Sequence, residues 1–202
     1  MNTIRILLAE DQSLVRGALA ALLNLEPDIE VAAEAADGNA ARNLLKNETF
    51  DVLLTDIEMP GYSGIELVEL VARDYPKMKS VIVTTFGRAG YIRRALDAGV
   101  HAFLLKDAPS EDLANAIRRA MNGRRTIDPE LAIAALDDRD PLTDKERKAL
   151  RLAGEGLRTA QIGEKLFLSE GTVRNYLSEA IAKLNATNRI DAARIARQKG
   201  WL

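Results

Sequence analysis

The chain has 202 residues, 47% of them hydrophobic and 29% charged, enough for one large domain or two ordinary ones with buried cores. It contains no cysteine, which excludes a disulfide framework, a thiolate nucleophile and a zinc–cysteine site. The net charge of −2 hides an asymmetry: residues 1–122 carry 18 acids against 13 bases, whereas residues 141–202 carry 7 acids against 12 bases. An acidic half joined to a basic half points to different partners, nucleic acid being the natural one for the basic half.

Five short apolar runs punctuate the first half, at 4–9, 29–35, 52–55, 81–84 and 102–105. The opening run is too short for a signal peptide, and no apolar stretch approaches the roughly 20 residues of a membrane helix, so a cytoplasmic protein without membrane contact is expected. Between the runs lie segments of helical spacing. SLVRGALAALLNL repeats apolar residues at Leu14, Ala18 and Leu22 and again at Val15, Leu19 and Leu23, with Ser13 as the expected N-cap. GNAARNLLK, GIELVELVARD and YIRRALDAG follow. SEDLANAIRRAMNG opens on Ser110 as an expected cap, with acids in its first turn and arginines in its last, in agreement with the helix dipole at both ends. Strand and helix alternate five times within residues 1–122, which predicts an α/β domain with a doubly wound, five-stranded parallel sheet of order 2-1-3-4-5. Residues 123–140, with Pro129 and a DDRD run, read as a linker in which PELAIAAL could form a short helix. Residues 141–202 read as four helices, a second, smaller all-α domain.

The first candidate site follows from the sheet order. DVLLTDIEMPGYSG delivers Asp56 from a buried strand into a tight loop, at the edge of an open α/β sheet where ligands collect. A plainer alternative is that Asp56 caps that loop through its own backbone. Strands 1 and 3 are neighbours in this topology, so Glu10 and Asp11 converge on Asp56. Three carboxylates in one crevice call for a hard divalent cation, and Mg2+ suits oxygen ligands while keeping waters free for exchange with phosphate oxygens. Thr84 ends strand 4 and Lys106 follows strand 5. A hydroxyl, an ammonium and a metal around one carboxylate suit phosphoryl transfer, with Asp56 as nucleophile.

In the second half, TAQIGEKLFLSEGTVRNYLSEAI fits helix, short turn, helix. Ile162 and Leu166 are expected to face inward from the first helix, and Val173, Leu177 and Ile181 from the second, which Ser169 caps. The opposite face carries Thr172, Arg174, Asn175 and Ser178; arginine can pair bidentately with guanine and asparagine with adenine in the major groove. Arg158, Thr159, Lys183 and Arg189 are candidates for holding phosphates. The alternative is an all-helical protein-interaction domain whose bases are merely solvated. His101 is expected to be exposed, and Trp201 to pack the chain end onto the small domain.

Taken together, AEDQ around Glu10 and Asp11, DIEMPG around Asp56, VIVTTF with Thr84, AGVHAFLLKD with Phe103 and Lys106, and the later PLTDKERKAL, GLRTAQIGEKL and SEGTVRNYL resemble a two-component response regulator of the LuxR/NarL class. The resemblance covers essentially the whole chain, and DIEMPG, TTFGRAGY, KDAPSEDLANAIR and GTVRNY are particularly similar to regulators of the membrane-lipid desaturation type. It implies a flavodoxin-like receiver whose Asp56 accepts phosphate from a histidine kinase. It further implies Mg2+ held by Glu10, Asp11, Asp56 and the main-chain carbonyl of Glu58, with Thr84 and Phe103 as a switch pair and Lys106 as the phosphate-binding lysine. The helical domain would be a LuxR-type helix-turn-helix binding double-stranded promoter DNA. Position 10 is Glu where Asp is common, Phe103 lacks a tyrosine hydroxyl, Asp107 stands where proline is frequent, and Gly163 stands where alanine is usual. A homodimer formed on phosphorylation is expected to use Leu14, Ala18 and Leu22 of the first helix and Leu113, Ile117 and Met121 of the fifth. The chain would be an autocatalytic phosphoacceptor and no turnover enzyme. The rival is a phosphatase of the haloacid dehalogenase type, which needs an Asp where Glu58 stands.

Overall fold

The computed structural model describes residues 3–85, 87–127, 132–133 and 140–202. The first domain alternates β1 (Ile4–Ala9), α1 (Ser13–Leu23), β2 (Ile29–Ala35), α2 (Gly38–Asn47), β3 (Val52–Thr55), α3 (Gly64–Asp74), β4 (Lys79–Thr84), α4 (Ala89–Asp97), β5 (Ala102–Leu105) and α5 (Ser110–Met121), and adds β6 (Thr126–Ile127). All strands are parallel and lie in the order β2-β1-β3-β4-β5-β6. The sheet therefore has six strands and not five. The sixth is a two-residue edge pairing Thr126 with Ala102 and Ile127 with Phe103, too short to show an alternating pattern in sequence. It lies within the stretch expected to be linker; of residues 123–140 only 123–127, 132–133 and 140 are described, so most of the PELAIAAL segment falls outside the described residues.

β3 is buried at every position, as a strand covered by helices on both faces must be. On one face Ile6, Leu8, Leu54, Val81 and Val83 pack against Ala20 and Leu23 of α1 and Leu113, Ala116, Ile117 and Ala120 of α5. On the other, Leu7 and Leu53 meet Ala41 and Leu45 of α2 and Leu67 and Val71 of α3. Leu113 and Ile117 thus belong to the core, which corrects their assignment to a dimer face: on a helix whose inward stripe already contains Ala114, Ala116 and Ala120, the sheet takes the large residues. Leu113→Ala is expected to cost about 2–5 kcal/mol of stability, read from the denaturant midpoint; an unchanged midpoint would contradict this packing.

Two caps differ from expectation. Gln12 and Pro109, without side-chain cap bonds, precede α1 and α5, so Ser13 and Ser110 are the first helical residues. α3 instead carries a full capping box in which Ser63 and Glu66 satisfy each other's main-chain N–H. His101 is half-buried, its Nδ1 accepting from the Ser80 N–H at 3.3 Å, and burial lowers its pKa with help from Lys79 and Arg125.

The second domain consists of α6 (Asp144–Gly154), α7 (Thr159–Leu166), α8 (Glu170–Lys183) and α9 (Arg189–Lys199). Its core joins Leu142, Leu150, Ile162, Val173, Leu177, Ala180, Ala193 and Trp201, with Leu166 and Ile181 packed against it. Trp201 sits where the sequence placed it. Among the described residues no helix is long and apolar enough to cross a membrane.

The turn between α7 and α8 is a Schellman motif. The Leu168 N–H donates to the Gly163 carbonyl at 2.8 Å and the Phe167 N–H to Glu164 at 3.4 Å, with Phe167 left-handed at φ 56°. A Cβ on Gly163 would lie 2.7 Å from the Leu168 carbonyl, so the glycine seats this turn, where the sequence suggested only a loosened helix. Phe167 is 95% exposed and adopts a backbone conformation that favours glycine. Phe167→Gly is expected to raise stability by up to about 1 kcal/mol, the relief of left-handed strain outweighing the added freedom of the unfolded chain. A lower denaturant midpoint would show that the ring contributes packing.

Candidate functional site

β1 and β3 are hydrogen-bonded neighbours with Ala9 opposite Thr55, so the residues that follow them emerge side by side. The Asp56 N–H donates to the Ala9 carbonyl at 3.0 Å, which carries the pairing one residue past the strands. Glu10, Asp11 and Asp56 thereby bring carboxylate oxygens within 4.8 Å of one another, Glu10 and Asp56 buried and Asp11 exposed. Glu58 lies exposed in the loop after β3.

The Asp56 carboxylate is oriented at both oxygens. Oδ1 accepts from the Ile57 N–H at 2.6 Å and Oδ2 from the Lys106 ammonium at 2.9 Å. Lys106 also lies 2.7 Å from Glu10 Oε2, so one cation bridges two buried carboxylates. Burial raises the Glu10 pKa, and its contacts with Lys106 offset this only in part. For Lys106 burial works against the charge, but bonds to Glu10 and Asp56 prevail and its pKa is raised. The ammonium is therefore a fixed internal counterion in a low-dielectric crevice, where charge pairs interact far more strongly than in water.

Lys106 is placed by the sheet edge: its N–H donates to the Thr84 carbonyl at 2.8 Å, and Thr84 itself is buried at the end of β4. Phe103 is buried on β5, in register with Ile82. Thr84 and Phe103 are thus inside the domain, on adjacent strands. Among the described residues every peptide bond is trans, the one after Lys106 included.

Three contributors to the site were not singled out from the sequence. A Cβ on Gly64 would lie 1.9 Å from the Asp56 carbonyl, so α3 approaches the aspartate main chain as only a glycine permits. The Thr55 hydroxyl donates to that same carbonyl at 2.8 Å. Arg16, in the first turn of α1, donates from Nη1 to the Glu10 carbonyl at 2.6 Å. Gly64 was legible as a turn residue but not as a contact, since a close approach is a property of the packed chain.

In the helical domain, Arg174, Asn175 and Ser178 stand exposed on α8, opposite its buried Val173–Leu177 stripe. Ser169 caps α8 as expected, accepting from the Thr172 N–H at 3.2 Å, and the Ser169 and Thr172 hydroxyls lie 2.9 Å apart, so half-buried Thr172 is engaged in the cap. Arg158 is exposed and Thr159 half-buried at the start of α7, and Arg189 is half-buried at the start of α9. Lys183 is placed differently from the expectation. Its ammonium lies 2.8 Å from both oxygens of Glu146, which is itself nearly buried in the capping box of α6. The pair ties the end of α8 to the start of α6, while the Lys183 side chain stays 32% exposed.

The same pair gives a pH dependence. Burial raises the Glu146 pKa, but bonds from Lys183 and Thr143 overcome this and leave it depressed. A depressed folded-state pKa stabilises the fold above the unfolded value, and that contribution is lost as pH falls through the folded value. Glu146→Gln is therefore expected to flatten the dependence of stability on pH below the ordinary glutamate range, measured by denaturation at stepped pH. An unaltered slope would contradict the pair's contribution.

A parallel α/β sheet with a carboxylate cluster and a lysine at its carboxyl edge, followed by a helix-turn-helix, defines a phosphorylation-type receiver joined to a DNA-binding module. Comparison with known proteins agrees: residues 6–118 match the response regulator receiver domain, and residues 140–196 match the bacterial regulatory proteins of the luxR family. The chain belongs to the two-component response regulators of this class, which are transcriptional regulatory proteins. It is 47% identical to the uncharacterized transcriptional regulatory protein YvfU of Bacillus subtilis, over 98% of this chain and 100% of that one. It is 46% identical to the transcriptional regulatory protein DesR of the same organism, over 98% of each. Among solved structures, RcsB of Salmonella enterica serovar Typhimurium, bound to the rprA promoter in the presence of a phosphomimetic, aligns with a TM-score of 0.74 at 27% identity, covering 96% of this chain and 98% of that one.

Proposed function

We propose that Asp56 accepts a phosphoryl group from a histidine kinase and that the phosphorylated chain pairs with a second copy to bind promoter DNA. The observation that supports this most directly is the convergence of Glu10, Asp11 and Asp56 on a crevice whose only bridging cation among the described residues is Lys106. The donor set is all oxygen, with two carboxylates buried, as suits a hard divalent cation. Glu10, Asp11 and Asp56 would hold Mg2+, with the Glu58 main-chain carbonyl completing the protein's share. When bound, the metal supplies charge neutralisation to the transferring phosphoryl group.

The rest of the chemistry belongs to the chain. An Asp56 carboxylate oxygen forms the bond to phosphorus as the bond to the donor's imidazole nitrogen breaks. The Ile57 N–H holds the other oxygen, and Lys106 is within reach to pair with the incoming phosphoryl oxygens once it leaves the carboxylates. The Thr84 hydroxyl and Phe103 then follow the new charge, biasing a two-state element as other phosphorylation switches do. No leaving substrate is turned over, so the chain is a phosphoacceptor and not an enzyme in the usual sense.

The exposed apolar residues of α1 support a dimer surface there: Leu14 is 84% exposed, Leu22 is 45% exposed and Ala18 lies between them, with Leu25 exposed just beyond the helix. With Leu113 and Ile117 in the core, α5 contributes through its outer face around Asn115, Arg119 and half-buried Met121. Incubation with a small acyl-phosphate donor and Mg2+ tests the proposal. One added phosphoryl group by intact mass, a doubled mass in light scattering and tighter binding to duplex DNA are expected; phosphorylation without either later response would defeat it.

On the DNA side, Arg174→Ala is expected to relax base preference at one position, a bidentate contact being worth roughly 1–3 kcal/mol. Arg158→Ala is expected to weaken all sequences alike and to lower the salt slope by about 1. Binding of a randomised duplex pool at several salt concentrations distinguishes them, and identical effects of both substitutions would defeat the assignment.

A further inference from the structure

The loop that carries two of the three carboxylates is braced from behind by a side chain that neither the phosphoryl chemistry nor the dimer face uses. Arg16 is largely buried, its side chain 19% exposed. Its Nη1 donates to the main-chain carbonyl of Glu10 at 2.6 Å, and its Nε lies 3.4 Å from Glu34 Oε2 on β2. The Glu10 N–H donates to the Ala35 carbonyl at 3.0 Å, and the Gln12 N–H donates to Glu10 Oε1 at 3.2 Å. Glu10 is therefore held at both main-chain groups, its N–H by Ala35 of β2 and its carbonyl, in the peptide that leads to Asp11, by Arg16 of α1. Release of that carbonyl would free ψ of Glu10 and φ of Asp11, and an uncompensated change in either re-aims Asp11 relative to Glu10 and Asp56. The arginine fork suits this task because its rigid plane aims Nη1 and Nε at two separate acceptors at once.

We propose that Arg16 is a positioning residue for divalent-cation binding, holding Glu10 and Asp11 in the orientation that chelates the ion together with Asp56. This rests on the reading of the crevice as a Mg2+ site. The role has a signature of sign. Arg16 is a cation bonded to the main chain of the loop that carries Glu10 and Asp11, so by Coulomb's law alone its removal should tighten Mg2+ binding. If it acts by positioning, removal should weaken binding instead. Partners that orient metal ligands typically change affinity by about 10–100-fold when lost.

The test is calorimetric titration of MgCl2 into the full chain, as wild type, Arg16→Met and Arg16→Lys, at constant ionic strength, with the thermal midpoint of each measured without metal. Arg16→Met is expected to weaken Mg2+ binding about tenfold, and Arg16→Lys, which keeps the charge but loses the fork, to fall between it and wild type. Tighter binding by Arg16→Met with wild-type binding by Arg16→Lys would overturn the proposal in favour of a charge effect. A lowered thermal midpoint with unchanged affinity would overturn it in favour of mere packing. Should Arg16→Met fail to fold, Arg16→Lys decides, and wild-type affinity in that variant overturns the proposal. Wild-type protein that binds no Mg2+ would instead defeat the underlying reading of the crevice.

Discussion

Asp56→Ala is expected to abolish phosphoryl incorporation, with no measurable mass increase after incubation with a small acyl-phosphate donor and Mg2+. Asp56 and Glu10 each accept from a main-chain N–H and pair with Lys106, but of the two only the Asp56 side chain retains any exposure, at 6%. Glu10 cannot take over: it is fully buried and its Oε2 is committed to Lys106. Asp11 is exposed and, among the described residues, forms no ion pair with Lys106. Asp56→Asn is the sharper variant, since it keeps the shape and the Ile57 contact while removing the nucleophilic charge, and the same loss is expected. Label retained in either variant would move the phosphoacceptor elsewhere. Lys106→Ala should separate binding from response. It removes a counterion that competes with a metal for Glu10 and Asp56, so Mg2+ affinity is expected to hold or rise while the conformational response to phosphorylation is lost.

The strands were legible because each is a run of apolar residues ended by a turn or an acid. β1, β2, β3 and β5 begin and end where those runs do, and β4 starts two residues earlier, at Lys79, because pairing with Val52 extends it. The sixth strand was not legible, since two half-buried residues carry no periodicity. The acidic crevice could be read from topology alone: once β1 and β3 are neighbours, the residues after them must meet. Burial of individual helix positions was harder. The two stripes of α1 are equally apolar in sequence, yet Ala20 and Leu23 face the sheet while Leu14 and Leu22 face outward. On α5 the same ambiguity resolved the other way for Leu113 and Ile117. Lys183 shows the remaining gap. Its charge and position near the end of a DNA-reading helix suit a phosphate, and only the packed domain shows a nearly buried glutamate already holding it.

That contrast between α1 and α5 sets the second large effect. Leu14→Asp is expected to leave the first domain folded and phosphorylatable but monomeric. Leu14 is 84% exposed, so a carboxylate there is solvated in the monomer and costs little. In an isologous dimer each substituted position faces the partner's copy of the same patch, so the charge is buried twice, beside the apolar Ala18 and Leu22. Truncating or charging the centre of such a patch typically costs about 2–4 kcal/mol, roughly 30- to 1,000-fold in the dimer constant. The ion pairs of Arg118 with Glu26 and Asp28, each at 2.6 Å, fasten α5 to the segment after α1. They should therefore keep the two helices in place when the leucine is changed. Leu113→Asp is the control for the core, where a charge should unfold the domain without phosphodonor. Light scattering of Leu14→Asp with and without phosphodonor checks the assignment. Dimerisation equal to wild type would place the interface elsewhere, and unfolding would mean that Leu14 is buried after all.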